Sequence, residues 1–333
     1  MAANEYRLDG VFEGGGVKGI ALVGAVSVVE EAGYSFVNLA GTSAGAIVAT
    51  LLAAGYTAGE LKTVLMDLDF SRLTDAGPLG TVPLIGSLVK SVNLLTRLGI
   101  YEGDYLLGFM REKLAAKHIR TFADLQMPQF DDARYRFKVR VIASDITRGR
   151  LLALPQDIAD YGERPEAMEV ALAVRMSMSI PFFFKPVRFR AKAQTYLIVD
   201  GGLLSDFPVW LFDAPGLPEW PTFGFRLSAT GDPTMIRHPV AGPLSALAAM
   251  FSTAVEAHDA RYIKDRDFVR TIAVNTTEYS STNFALTQAD KDALYEAGCE
   301  AAREFLQTWD FAQYVAEYRS GKPLPSRHAR LLP

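Results

Sequence analysis

The chain has 333 residues, 49% of them hydrophobic and 22% charged, and a formal charge of -4. That composition is ample for a large buried core and carries no basic surplus, so a nucleic-acid partner is not expected. The single cysteine, Cys299, excludes an intrachain disulfide framework and a Cys-x-x-Cys metal clip; it points to a reducing compartment and reads as a small core residue of a helix.

The first residues, "MAANEYRLDG", have neither the basic start nor the apolar stretch of a secretion signal. The expected location is therefore the cytoplasm, with peripheral membrane association and export by a signal-less route left open. A strand, "LDGVF", leads into a helix over residues 17–32; a second strand, "FVNLA", leads into a helix over 43–54. Residues 71–100 are rich in Gly and Pro yet apolar, and read either as a lid or membrane-facing flap or as short helices packed on the core. Pro78, Pro83 and Lys90 interrupt the most apolar window there, which suits an interface better than a membrane span.

Next comes the strand "YRFKVRVIAS"; the block Arg134, Arg136, Lys138 and Arg140, which begins one residue before it, alternates as one solvated strand face. It is followed by the strand "RGRLLAL", the helix "PEAMEVALAVRMSM" and the strand "QTYLIVD". Two further helices are "GPLSALAAMFSTAVEAHDARYIKD" and "TQADKDALYEAGCEAAREFLQTW", the latter opened by a capping pair, Thr287 and Asp290. The basic tail "YRSGKPLPSRHARLLP" is expected to be a poorly ordered extension. The alternation implies an α/β fold: three layers, with a mainly parallel central sheet flanked by helices. It suits one domain over residues 1–333, with a core at roughly 8–212 completed by the helices and strands of 213–333.

Between the first strand and helix stands "EGGGVKG", whose Gly14, Gly16 and Gly19 fit the G-x-G-x-x-G of dinucleotide sites. Such a site needs an acidic residue at the end of the second strand. That strand runs instead into Gly41, Thr42, Ser43, Ala44 and Gly45, a G-x-S-x-G at a strand-to-helix turn. Small residues at Gly41 and Gly45 allow the tight elbow that lifts a serine hydroxyl out of a sheet, which makes Ser43 a candidate nucleophile. Adjacent parallel strands bring the first loop beside this elbow. The backbone N–H groups of Gly14, Gly15 and Gly16 can then face a developing oxyanion rather than a phosphate.

The nucleophile needs a base. His118, His238, His258 and His328 fit poorly by position, although His238 or His258 could complete a Ser-Asp-His order. Another base is available: "TYLIVD" places Asp200 at a strand end before Gly201 and Gly202, which reads either as a carboxylate at the functional edge of the sheet or as a plain turn.

Four segments in this order, "GGGVKG", "GTSAG", "RMSMSIPFFFKPV" and "DGGLLSDFP", resemble those of the patatin-like phospholipases. The resemblance implies a histidine-free dyad, with Ser43 as nucleophile and Asp200 as general base, acting on a phospholipid or other acyl lipid without cofactor or metal. Lys18 departs from the arginine of many members, and reads equally as a phosphate contact or a solvated helix residue. Pro181, Phe182, Phe183 and Phe184 suit an acyl-chain wall, with ordinary core as the alternative. Two other readings stay open at this point, a non-catalytic nucleotide-binding module and a Ser-His-Asp esterase.

Overall fold

The computed structural model describes residues 6–73, 98–227, 265–281 and 285–320, together with Met250, Thr253 and Asn283. The strands are β1 (Tyr6–Phe12), β2 (Tyr34–Thr42), β3 (Gly99–Tyr101), β4 (Val139–Asp145), β5 (Arg150–Leu154), β6 (Phe182–Phe184), β7 (Val187–Ala191), β8 (Gln194–Asp200), β9 (Thr222–Arg226) and β10 (Thr271–Ala273). The helices used below are α1 (Gly19–Glu31), α2 (Ala44–Ala53), α3 (Ala58–Met66), α4 (Asp104–Ala116), α5 (Val170–Ser177), α6 (Asp265–Phe268), α7 (Gln288–Thr308) and α8 (Phe311–Tyr314).

Eight of these strands form one sheet in the order β10-β9-β1-β2-β4-β8-β7, with β5 paired to β4, while β3 and β6 pair separately. The run from β10 to β4 is parallel; β5, β8 and β7 are antiparallel additions. The expected mainly parallel α/β sheet is therefore present. Alternation along each strand builds two cores. Leu8, Phe12, Leu39, Val139, Val141 and Leu152 join the large core under the helices. Val11, Ala40, Ile142, Leu151 and Ala153 face a smaller one, closed by Leu211 and Phe212 of a short 3-10 turn.

Helix α2 is apolar all round and every residue in it is buried, as a central helix must be. Helix α7 starts at the expected capping box, where Asp290 N donates to Thr287 Oγ1 at 3.2 Å and Thr287 N to Asp290 Oδ2 at 2.9 Å. It seats Phe305 and Trp309 edge-on against Phe223 of β9, both at 5.1 Å. Cys299 is buried in this helix, its thiol directed at Gly24 O.

The topology has one consequence for function. Ile142 pairs with Thr42 of β2 and Ala153 of β5, and Ala143 with Asp200 of β8 and Leu152 of β5. Strand β5 thus takes one edge of β4, and β2 and β8 share the other, lying in line with their carboxyl ends meeting.

Two sequence expectations are corrected. The arginine and lysine block is not one solvated strand face, because the strand begins only at Val139. Arg134 pairs with Asp132 at 2.5 Å and Arg136 with Glu166, burial lowers the Lys138 pKa, and Arg140 is buried with its guanidinium over Phe212 at 5.5 Å. The helix expected over 165–178 is split, because Met168 and Glu169 are extended and Glu169 is held by Arg111 through two bonds of 2.6 and 2.9 Å. Most of the 71–100 segment, most of the helix expected over 242–265 and the tail past residue 320 lie outside the described residues.

Candidate active site

Ser43 is the hinge between β2 and α2, with φ 52° and ψ -122°. A non-glycine residue in that conformation stores about 1–3 kcal/mol of strain and persists only where its surroundings impose it. The surroundings are visible. A β-carbon at Gly41 would collide with Gly45 O, and one at Gly45 with Phe12 O, so the turn closes only with glycine at both places. Ser177 Oγ, at the end of α5, accepts Ser43 N at 2.8 Å and donates to Ile142 O at 2.5 Å, pinning the elbow to β4.

The Ser43 side chain is buried, and its hydroxyl faces Met178 Sδ at 3.3 Å. A thioether is a weak acceptor, so turning to a carboxylate forfeits little. That carboxylate is Asp200, brought there by the end-on meeting of β2 and β8. Asp200 is 2% exposed; Oδ1 accepts Gly202 N at 2.8 Å, and Oδ2 has no hydrogen-bond partner among the described residues. Burial pushes its pKa up to about 7, against smaller lowering by the Gly202 amide and the nearby Ser43 hydroxyl. The main-chain bond from Asp200 N to Ser179 O, 2.9 Å, fixes the strand end.

The glycine loop borders the same place. A β-carbon at Gly14 would stand 3.1 Å from Ser43 Cβ, and one at Gly202 would stand 3.1 Å from Asp200 Oδ1; both would crowd Asp206 Oδ1. Gly14 N is engaged with Asp206 O at 3.4 Å, whereas Gly15 N and Gly16 N make no hydrogen bond among the described residues. Gly16 has φ +57° and packs against Ser281 O, which also accepts Val17 N at 3.2 Å. Gly15 and Gly16 both lie in the loop that enters α1 through the turn Gly16–Lys18, and Gly14 of that loop borders Ser43.

A model of the patatin-like phospholipases matches residues 10–213. The chain belongs to this family. It is 40% identical over 304 residues to the protein YqhO of Bacillus subtilis (strain 168), covering 91% of this chain and 99% of that one. It is 26% identical over 208 residues to the "Probable lipid hydrolase 463L" of Invertebrate iridescent virus 6, covering 62% and 63%. In fold it is similar to VipD from Legionella pneumophila, with a TM-score of 0.52 at 19% identity over 92% of this chain and 67% of that one. As a patatin-like phospholipase the protein is a lipid acyl hydrolase, and the nucleotide-module alternative is set aside.

The other predicted positions of this patatin-like chain fall as follows. Lys18 is half-buried and reaches Leu227 O at 3.4 Å, so it is not a solvated helix residue. A β-carbon at Gly19 would stand 3.2 Å from the Ala44 β-carbon, so glycine there lets the start of α1 pack close on α2, and Gly201 lies against Ile142 O. Phe184 is core, at 1% exposure; Pro181, Phe182 and Phe183 are half-buried. His118 is the one histidine among the described residues and is exposed beyond α4, while His238, His258 and His328 lie outside them. Ser177, Met178, Ser179 and Asp206, all at the site, were missed as individuals although the quoted segments contain them. The available signal was two hydroxyls two residues apart at the end of an apolar helix.

Proposed function

We propose that this protein is a phospholipase of the A type, freeing fatty acid from phospholipid through a Ser43–Asp200 dyad and an oxyanion hole at Gly14–Gly16. The carrying observation is the strained Ser43 elbow lying in line with Asp200 on one edge of β4. In this reading Asp200 Oδ2 takes the hydroxyl proton as Ser43 Oγ attacks the ester carbonyl. The tetrahedral oxyanion is met by the N–H groups of Gly15 and Gly16, with the α1 terminus behind them. The proton then passes to the departing lysolipid oxygen, leaving an acyl-serine. Asp200 next deprotonates a water, which attacks the acyl carbonyl, releases the fatty acid and restores Ser43. A carboxyl raised to about 7 is a far stronger base near neutrality than an ordinary aspartate.

Lys18, through Leu227, supports the loop that carries the hole. Pro181, Phe182 and Phe183 form the acyl-facing wall. The enzyme works at a membrane surface from the cytoplasmic side; no helix among the described residues is long and apolar enough to cross a membrane. The test is hydrolysis of a fluorogenic phospholipid and a p-nitrophenyl acyl ester by the parent enzyme, Ser43→Ala and Asp200→Asn, with product analysis from a mixed-acyl phosphatidylcholine. Each variant is expected to lose about 10²-fold or more in kcat. A fluorophosphonate should label only proteins that retain Ser43. Parent-like turnover by either variant rejects the dyad.

A further inference from the structure

A cleft of about 580 Å³ lies between the start of α4, α5 and the entry to β7. It is lined by Asp104 and Leu107, by Leu172 and Arg175, and by Lys185 to Arg188, with Glu102 at one side; neither Ser43 nor Asp200 reaches it. Its size is that of a small-molecule site. Its chemistry is divided. Leu107, Leu172, Pro186 and Val187 give an apolar floor. Around them stand three cations, Arg175, Lys185 and Arg188, against two carboxylates, Glu102 and Asp104.

Lys185 is neutralised by Glu102. Arg175 is buried and directs its guanidinium to neutral oxygens, Ser179 Oγ at 2.6 Å, Glu102 O at 2.5 Å and Lys185 O at 3.0 Å. Arg188 is exposed at the rim and makes no hydrogen bond or ion pair among the described residues. With Lys185 and Glu102 paired, Arg175 and Arg188 stand against Asp104, and the net single positive charge beside an apolar floor complements one anionic head on one alkyl chain. Arg175 also joins the cleft to the dyad, since the Ser179 whose hydroxyl it holds gives its carbonyl to Asp200 N at 2.9 Å.

We propose that this cleft binds a single-chain anionic amphiphile, with the head on Arg188 and the chain over Leu107, Leu172 and Val187, and that its occupancy alters turnover at the dyad through Arg175 and Ser179. A fatty acid and a phosphate-headed single-chain lipid share this chemistry. A fatty acid is also the product in the function proposed above, and for that source the inference rests on that reading.

The test is calorimetric titration of dodecanoate, dodecyl phosphate and dodecyltrimethylammonium, each below its micelle concentration, into the parent protein, Ser43→Ala, Arg188→Gln and Leu107→Trp. Binding by Ser43→Ala keeps the result separate from the fate of the dyad. At least one anion should bind the parent and Ser43→Ala equally, and the tighter of the two identifies the source. Arg188→Gln, which should hydrolyse ester normally without ligand, is expected to lose about tenfold in affinity, the worth of a hydrogen bond to a charged group. Leu107→Trp fills the floor and should lose as much. Saturation should change kcat on a soluble ester in the parent and not in Arg188→Gln. Equal affinity in both cleft variants, equal binding of the ammonium compound, no binding of either anion, or an unchanged kcat at saturation would overturn the proposal.

Discussion

Two strands of the sheet, β1 and β8, each hold a buried aspartate, and the two carboxyls differ little in their perturbation. Asp200 stands at the carboxyl end of β8; Asp9, 1% exposed, stands in β1 level with the first residue of β9, Thr222. Burial pushes both up to about 7. Their surroundings differ. Asp9 fills the irregular register between Leu8 and Gly10, accepts Asn38 N at 3.2 Å, and is shut in where Trp220 packs on Tyr135 at 5.4 Å and on Phe130 at 6.1 Å. Asp200 has an oxygen without a hydrogen-bond partner among the described residues, in line with a strained serine whose β-carbon the Gly14 loop borders. A raised carboxyl pKa therefore records burial, and only the groups facing it separate a base from a structural acid.

The largest effect that sharpens this contrast is at Asp200. If it is the base, kcat/KM on a soluble ester should rise with pH through about 7 and then level, because only the deprotonated carboxyl can accept the Ser43 proton. Asp200→Asn should remove that limb along with about 10²-fold or more of the rate. A parent profile flat from pH 5 to 9 would make Asp200 as structural as Asp9.

A smaller effect is expected at Ser177, whose hydroxyl bridges Ser43 N and Ile142 O. Ser177→Ala leaves a buried carbonyl and the elbow amide unsatisfied, a loss of about 1–3 kcal/mol per group. It should lower kcat roughly tenfold with KM nearly unchanged, since the strained elbow matters most when Ser43 attacks. The pH limb should remain near 7. A matching drop in KM and kcat, or a displaced limb, would show that the residue does more than hold Ser43.

What the sequence made legible was local. The Gly41–Gly45 elbow, the Gly14–Gly16 loop and the Asp200 strand end are each short segments whose backbone demands can be read from residue type, and the alternation of apolar runs gave the parallel sheet. The parts that stayed hidden depend on long separations. Nothing near Ser43 announces that Ser177, 134 residues on, will hold its amide. No local pattern says that β2 and β8 will share one edge of β4. The arginine block misled because its alternation is genuine while its surroundings are not solvent: Phe212 covers Arg140 from 72 positions away. The split before α5 likewise follows from Arg111, which no propensity of residues 165–178 contains.

The smallest effect on catalysis, and the sharpest check on the comparison, belongs to Asp9. Its folded pKa of about 7 lies above the ordinary 3.8, so from about pH 4 to 7 the folded chain keeps a proton that the unfolded chain releases. Stability must fall as pH rises through that window and stay reduced above it. Asp9→Asn cannot ionise, keeps an oxygen for Asn38 N and is nearly the same size. Thermal melts should therefore show the variant more stable than the parent at pH 8, by on the order of 1–3 kcal/mol, with no gain near pH 4. Ester hydrolysis and its pH limb should not change. If Asp9→Asn instead loses activity at neutral pH while gaining stability, the two aspartates are coupled, and burial at Asp9 serves the dyad rather than the fold.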